Sequence, residues 1–137
     1  MSSEMFKTID LLEKVLDIRA ARHSIIASNI ANYDTPNYKA ADLNFEKTLQ
    51  ETLKQYSMIE VQKTSSLHLS GAEISGKIAP VIEIDFNSNL SNDLNTVDID
   101  KEFGKMSNNA VYYDIVSKLV RNRFDQLKEA ISEGGRQ

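Results

Sequence analysis

The sequence predicts a mainly α protein: long N- and C-terminal helices pairing as an antiparallel, coiled-coil-like hairpin, with a polar, partly β insert between them. Three observations carry this. Apolar residues recur at helical spacing through residues 3 to 31, and a 3,4 seam runs from Phe103 to Ile131. Between them, residues 57 to 95 are rich in Ser and Asn and broken by Gly71, Gly76 and Pro80. At 137 residues the chain has the length of one domain and buries a core only if its elements fold back on one another. The expected organisation is an N-terminal helix over 1–33, a turn and short helix over 34–56, a polar insert with a small hairpin over 57–96, and a C-terminal helix over 97–137.

In the first helix Met5, Ile9, Leu12, Leu16, Ile26 and Ile30 form a 4,3 stripe, with Arg19 and His23 at the two intervening positions. Leu11, Val15, Ile18 and Ile25 widen the apolar face. Ser2 or Ser3 serves as the cap, Glu4 suits the positive end of the dipole, and Asp10 pairs with Lys14 four residues on. Pro36 keeps Thr35 out of the helical region, so the helix ends near Asn32 or Tyr33.

Residues 41 to 56 read as a short helix grouping Leu43, Leu49 and Leu53. In the insert, 58–61 and 81–86 are strand-like, the latter alternating Ile82, Ile84 and Phe86 against Glu83 and Asp85. The last helix places Phe103, Met106, Ala110, Tyr113, Ser117, Val120, Phe124, Leu127 and Ile131 on one heptad seam. Asp98 is its expected N-cap, and Gly134-Gly135 its end. At roughly 35 residues and ~50 Å it is longer than a compact domain of this size needs.

Composition excludes several functions. With 16 Lys plus Arg against 20 Asp plus Glu, the net charge is −4 and no dense basic cluster exists to grip nucleic acid. There is no cysteine, hence no disulfide and no thiolate metal site. The N-terminal stretch carries Glu4, Asp10, Glu13 and Asp17 where a secretory signal would be basic and then apolar, so no cleaved signal peptide and no transmembrane segment are expected. His23 and His68 are the two histidines, far apart and without metal-ligand company, and no glycine pattern cradles a phosphate. A calcium loop begun at Asp85 fails at Leu90 and Thr96, where Gly and Glu are required. Tyr112, Tyr113, Phe124 and Met106 read as helix seam rather than as a ligand pocket. No catalytic residues, cofactor, metal or small-molecule substrate are expected, and the chain reads as a non-enzyme.

Residues 28 to 40, SNIANYDTPNYKA, stand apart. An Asn-rich helix end followed by a turn accounts for Asn32, Asp34 and Pro36, but not for Asn29 one turn earlier or Tyr38 beyond it. Side-chain amides donate and accept, so they satisfy bare backbone groups equally well in their own chain or in a neighbour. Capping and partner contact both remain open on the residues alone.

The run Ala31-Asn32-Tyr33-Asp34-Thr35-Pro36-Asn37-Tyr38 resembles the A-N-x-x-T-P-x-Y signature of bacterial flagellar rod and hook proteins. Those proteins share Val-Asp before a Glu-Met-x-x-Met-x-x-Asn-like helix start. Here Val97, Asp98, Glu102, Met106 and Asn109 take those places, Phe103 replaces the usual first Met, and Asn92-Asp93-Leu94-Asn95 stands where Asp-Gly-Asn is common. The short insert is similar to that of proximal rod members, since distal rod and hook proteins carry large inserted domains.

The resemblance implies a structural subunit of the flagellar basal-body rod, crossing the periplasm and exported by the flagellar type III apparatus. It implies self and other rod subunits as partners, together with the hook-basal-body adapter FliE, the membrane-embedded ring and the export gate. Asn29, Asn32, Thr35, Pro36 and Tyr38 would form a subunit-interface turn. Phe103, Met106, Tyr113, Val120, Phe124, Leu127 and Ile131 would form the helix seam. Phe45 and Leu49 resemble a Phe-x-x-x-apolar export-gate element, though their spacing also suits one face of a short helix. Two alternatives remain: a cytoplasmic helical adaptor or export chaperone, and an axial protein of another rod level.

Overall fold

The computed structural model describes residues 2–62, 78–86 and 93–134, and their side chains except at 2–5 and 56–62. In chain order the elements are α1 (Ser2–Ala31), β1 (Ala41–Leu43), α2 (Phe45–Gln62), β2 (Ile82–Ile84) and α3 (Ile99–Gly134). The α1 and α3 helices, of 30 and 36 residues, form the expected antiparallel hairpin: Asn29 near the end of α1 meets Glu102 near the start of α3, and Arg19, farther from that end, meets Asn109.

Helix ends follow their local chemistry. The Asp98 carboxylate accepts from the Lys101 amide at 3.2 Å and its carbonyl accepts from Glu102 N at 2.9 Å, so α3 starts where the cap was expected. Beyond α1, Thr35 to Tyr38 close a turn with Pro36 second and Asn37 third, at φ 61°, the positions that favour Pro and a left-handed residue in a type II turn. Leu94 also takes a left-handed φ of 62°, so in Asn92-Asp93-Leu94-Asn95 a leucine adopts a conformation usually left to glycine.

Two local expectations are corrected. The short helix starts at Phe45, because Asn44 caps it through Lys47 N at 3.0 Å and frees 41–43 to pair as a strand. It then runs to Gln62, so 58–61 is helical. The strand at 82–84 therefore has no hairpin partner at 58–61 and pairs instead with β1, antiparallel, Ala41 opposite Ile84 and Leu43 opposite Ile82. Its Ile82 and Ile84, with Phe86 beyond, are at least half exposed. His68, most of the insert and Gly135 lie outside the described residues.

The interior is more polar than apolar. Among the described residues Ile18, Ile26, Ala40 and Leu43 are buried, beside Asn29, Thr48, Thr52, Asn95, Thr96, Glu102 and Asn109. Buried polar groups are tolerable only when each finds a partner, and those partners fix how the elements meet.

Candidate functional site

The signature turn is built around two asparagines. Asn29 is fully buried, and its amide binds both backbone groups of Ala41, donating to the carbonyl at 2.6 Å and accepting from the N–H at 3.1 Å. The same amide donates to Glu102 Oε2 at 2.8 Å and accepts from the Tyr38 hydroxyl at 3.3 Å. One side chain thus ties α1, the turn, β1 and α3 together, with every donor and acceptor position of the amide used. Asn95 does the same for the helix end. Its Nδ2 donates to the carbonyls of Asn32, Tyr33 and Thr35 at 3.0, 2.9 and 2.8 Å, and its Oδ1 accepts from Val97 N at 2.7 Å. Asn32 O also accepts from Thr35 N and Thr35 O from Tyr38 N, so among the described residues it is the Tyr33 carbonyl that has Asn95 as its one partner at the close of α1.

Charges reinforce the same corner. Arg22 forks onto both oxygens of Asp42 at 2.9 Å each, and Lys105 bridges Glu102 at 2.7 Å and Asp42 at 3.4 Å. Burial pushes the Asp42 carboxyl up, but the Arg22 hydrogen bond and charge, with Lys105 and the Leu43 amide, bring it net below its ordinary range. The Arg22 guanidinium is raised, chiefly by that hydrogen bond. Arg19 differs. It lies 3.9 Å from the Phe45 ring centroid and 4.6 Å from that of Tyr112, and burial together with the Arg22 charge lowers its pKa. Its Nε is buried with no hydrogen-bond partner among the described residues.

The expected site residues divide. Asn29 faces inward and Asn32 carries local bonds, its Nδ2 donating to Ser28 O at 2.8 Å and its Oδ1 accepting from Thr35 Oγ1 at 3.2 Å. Tyr38 is half-buried, while Thr35 and Pro36 are exposed, so the outer side of the turn is Asp34, Thr35, Pro36 and Asn37. On α3 the fully buried line toward α1 is Glu102 and Asn109, beside the expected seam rather than on it. Met106, Val120 and Leu127 are half-buried; Phe103, Tyr113, Phe124 and Ile131 are exposed, Ile131 at 72%. Phe45 and Leu49 belong to the first turns of α2, where the Phe45 ring covers Arg19 and both side chains are half-buried. Apolar periodicity passes over Asn95, Asp42, Glu102 and Asn109; the signal that marks the last two is a polar pair seven residues apart inside an apolar helix pattern.

This turn is where a known class is matched: a family model described as flagella basal body rod protein matches residues 18–39, from the second half of α1 through the turn. The chain belongs to the FlgB family of that class. It is 31% identical over 128 residues to the flagellar basal body rod protein FlgB of Borrelia hermsii, covering 90% of this chain and 95% of that protein. Identity to the FlgB proteins of Bacillus subtilis strain 168 and Escherichia coli K12 is 30% and 27%, over 93% and 89% of this chain and 95% and 91% of theirs. The relatives are thus named as flagellar basal body rod proteins, and among the described residues no helix is long and apolar enough to cross a membrane.

Proposed function

We propose that this rod protein is a subunit of the proximal rod, exported by the flagellar type III apparatus without a cleaved signal and assembled through its terminal helices and the outer side of the signature turn. The observation that carries the reading is the exposed apolar surface of α3: Phe103, Val111, Tyr112, Tyr113, Ile115, Leu119, Phe124 and Ile131 are each at least 43% exposed. A helix covered on one side and apolar on others is an interface awaiting neighbours. The hook-basal-body adapter FliE, the membrane-embedded ring and the export gate complete the set of partners, with Phe45 and Leu49 read by the gate before the chain folds, since both are partly covered afterwards. Thr35 and Pro36 touch a neighbouring subunit, while Asn29, Asn32 and Tyr38 hold the turn in shape for that contact.

The test is where the protein sits. One antibody applied to purified hook-basal bodies and to soluble cytoplasm should find it in the basal bodies, and find none there when the export apparatus is deleted. A protein confined to the cytoplasm as a dimer refutes the reading in favour of an adaptor. Within the basal body, Pro36→Ala should leave helix content unchanged, because the position is exposed and outside the helices, yet weaken assembly; a fully motile Pro36→Ala strain removes the contact role.

A further inference from the structure

Between α1 and α3 lies an open groove of about 350 Å³ lined by Arg19, Ala20, His23, Asn109, Ala110 and Tyr113. Its floor is anchored: Asn109 Nδ2 donates to Arg19 O at 2.8 Å, and the Arg19 guanidinium is stacked between the rings of Phe45 and Tyr112. Its charge is unanswered. None of the ion pairs formed by the described residues includes Arg19, its Nε finds no partner among them, and the adjacent Arg22 is already matched by Asp42. The half-buried guanidinium donates from Nη1 to the neutral Asn109 Oδ1 at 3.5 Å but has no anion opposite among the described residues, and a carboxylate from outside would supply one.

The chain itself carries a matching surface. Val111, Ile115 and Leu119 are 56%, 47% and 48% exposed and form an apolar stripe on α3. Asp114 flanks the stripe, roughly 60° around the helix from Val111 on the side of Ala110, and its ion pair with Lys118 is a surface pair, Lys118 69% and Asp114 64% exposed, of the kind that water readily replaces. At 3.6 residues per turn Val111 lies roughly 200° around the helix from Asn109, so the stripe and the groove occupy different sides of one molecule.

We propose that the groove beside Arg19 receives the outer face of α3 from a second copy of this chain, with Asp114 reaching the Arg19 guanidinium and Val111 and Ile115 covering Ala20, Ala110 and Tyr113. The contact joins two different surfaces, so it is heterologous: each copy that docks presents its own empty groove, and the series stays open instead of closing into a dimer. This rests on the rod reading above and names one of the contacts that assembly would use.

The chain has no cysteine, so a full-length His23→Cys, Ile115→Cys double variant tests it in purified basal bodies under mild oxidation. The expected result is a ladder on a non-reducing gel, rising in steps of one chain mass, with neither single variant cross-linking. In solution, Asp114→Asn and Arg19→Gln should each weaken self-association at least tenfold by sedimentation, and the pair together no more than the worse one. Asp114 is exposed and its variant tests the contact even if Arg19→Gln alters the fold. Basal bodies that contain the double variant but give no ladder, or single variants that cross-link with themselves, overturn the docking and leave the rod reading intact. A native chain that stays monomeric at millimolar concentration, or an Asp114→Asn variant that associates like the native chain, overturns it equally. A chain absent from basal bodies refutes the rod reading itself.

Discussion

Replacing Asn29 by aspartate changes one heavy atom and nothing of the shape, so its cost can be worked out bond by bond. Oδ1 keeps both hydrogen bonds it accepts, from Ala41 N and Tyr38. The atom in place of Nδ2 becomes an oxygen facing the Ala41 carbonyl, 2.6 Å from the native nitrogen, and Glu102 Oε2, at 2.8 Å. Two donated bonds are lost, about 1 kcal/mol each net, and a second carboxylate is placed against the buried Glu102. Two such carboxyls cannot both ionise at contact, so the folded pair holds a proton that the unfolded chain, with carboxyls titrating near pH 4, has released. The folded pKa is raised, the native state binds more protons than the unfolded one above pH 4, and stability therefore falls as pH rises. The expected deficit of Asn29→Asp is about 1–2 kcal/mol near pH 4 and about 2–4 kcal/mol by pH 8, somewhat under the range for an uncompensated buried charge because Lys105 already stands 2.7 Å from Glu102. Urea unfolding followed by circular dichroism from pH 4.5 to 8 measures it, with Asn29→Ala as a control whose deficit should not change with pH. A deficit for Asn29→Asp that is flat across that range, or no larger than that of Asn29→Ala, refutes the claim that this amide is the buried joint between α1 and α3.

Two further outcomes concern the same corner. Asn95→Ala strands the Tyr33 carbonyl and the Val97 amide, while Asn32 O and Thr35 O keep their backbone partners, and should destabilise by about 1–3 kcal/mol, read as a lower urea midpoint; a change under about 0.5 kcal/mol would mean water satisfies those groups as well. Asp42 is held net below its ordinary pKa, so its contribution is fully present above about pH 4 and lost as pH falls through the folded value. Asp42→Asn should therefore be less stable than the native chain at pH 7, with the gap closing below about pH 4 in an acid titration of helix content; a gap that persists at acid pH argues against the Arg22 pairing as its source.

The helices were legible because their signals are local. Pro36, Asp98 and the apolar spacing set the extents of α1 and α3 within a residue or two of what forms. Strand pairing was not legible, since Ile82–Ile84 needs a partner about 40 residues back and no short-range pattern marks Ala41–Leu43 as that partner. The signature turn was visible as a cluster, but its direction was not. Whether an amide serves its own chain or a neighbour depends on where Ala41, Asn95 and Glu102 arrive, and those are long-range facts. The heptad rule seeks apolar residues, so it does not single out Glu102 and Asn109, the fully buried residues of α3.

That polar line has a mechanical meaning. Greasy helices slide past one another with little penalty, because one leucine serves a hole as well as the next. Helices pinned by amides and carboxylates have a single notch at which they latch, and a shift of one turn leaves every latch empty. The strength of such a joint is modest, since water competes for each of its bonds, but its position is sharply defined. The hairpin is in effect a gauge block: easily unlatched, and always the same length when it closes.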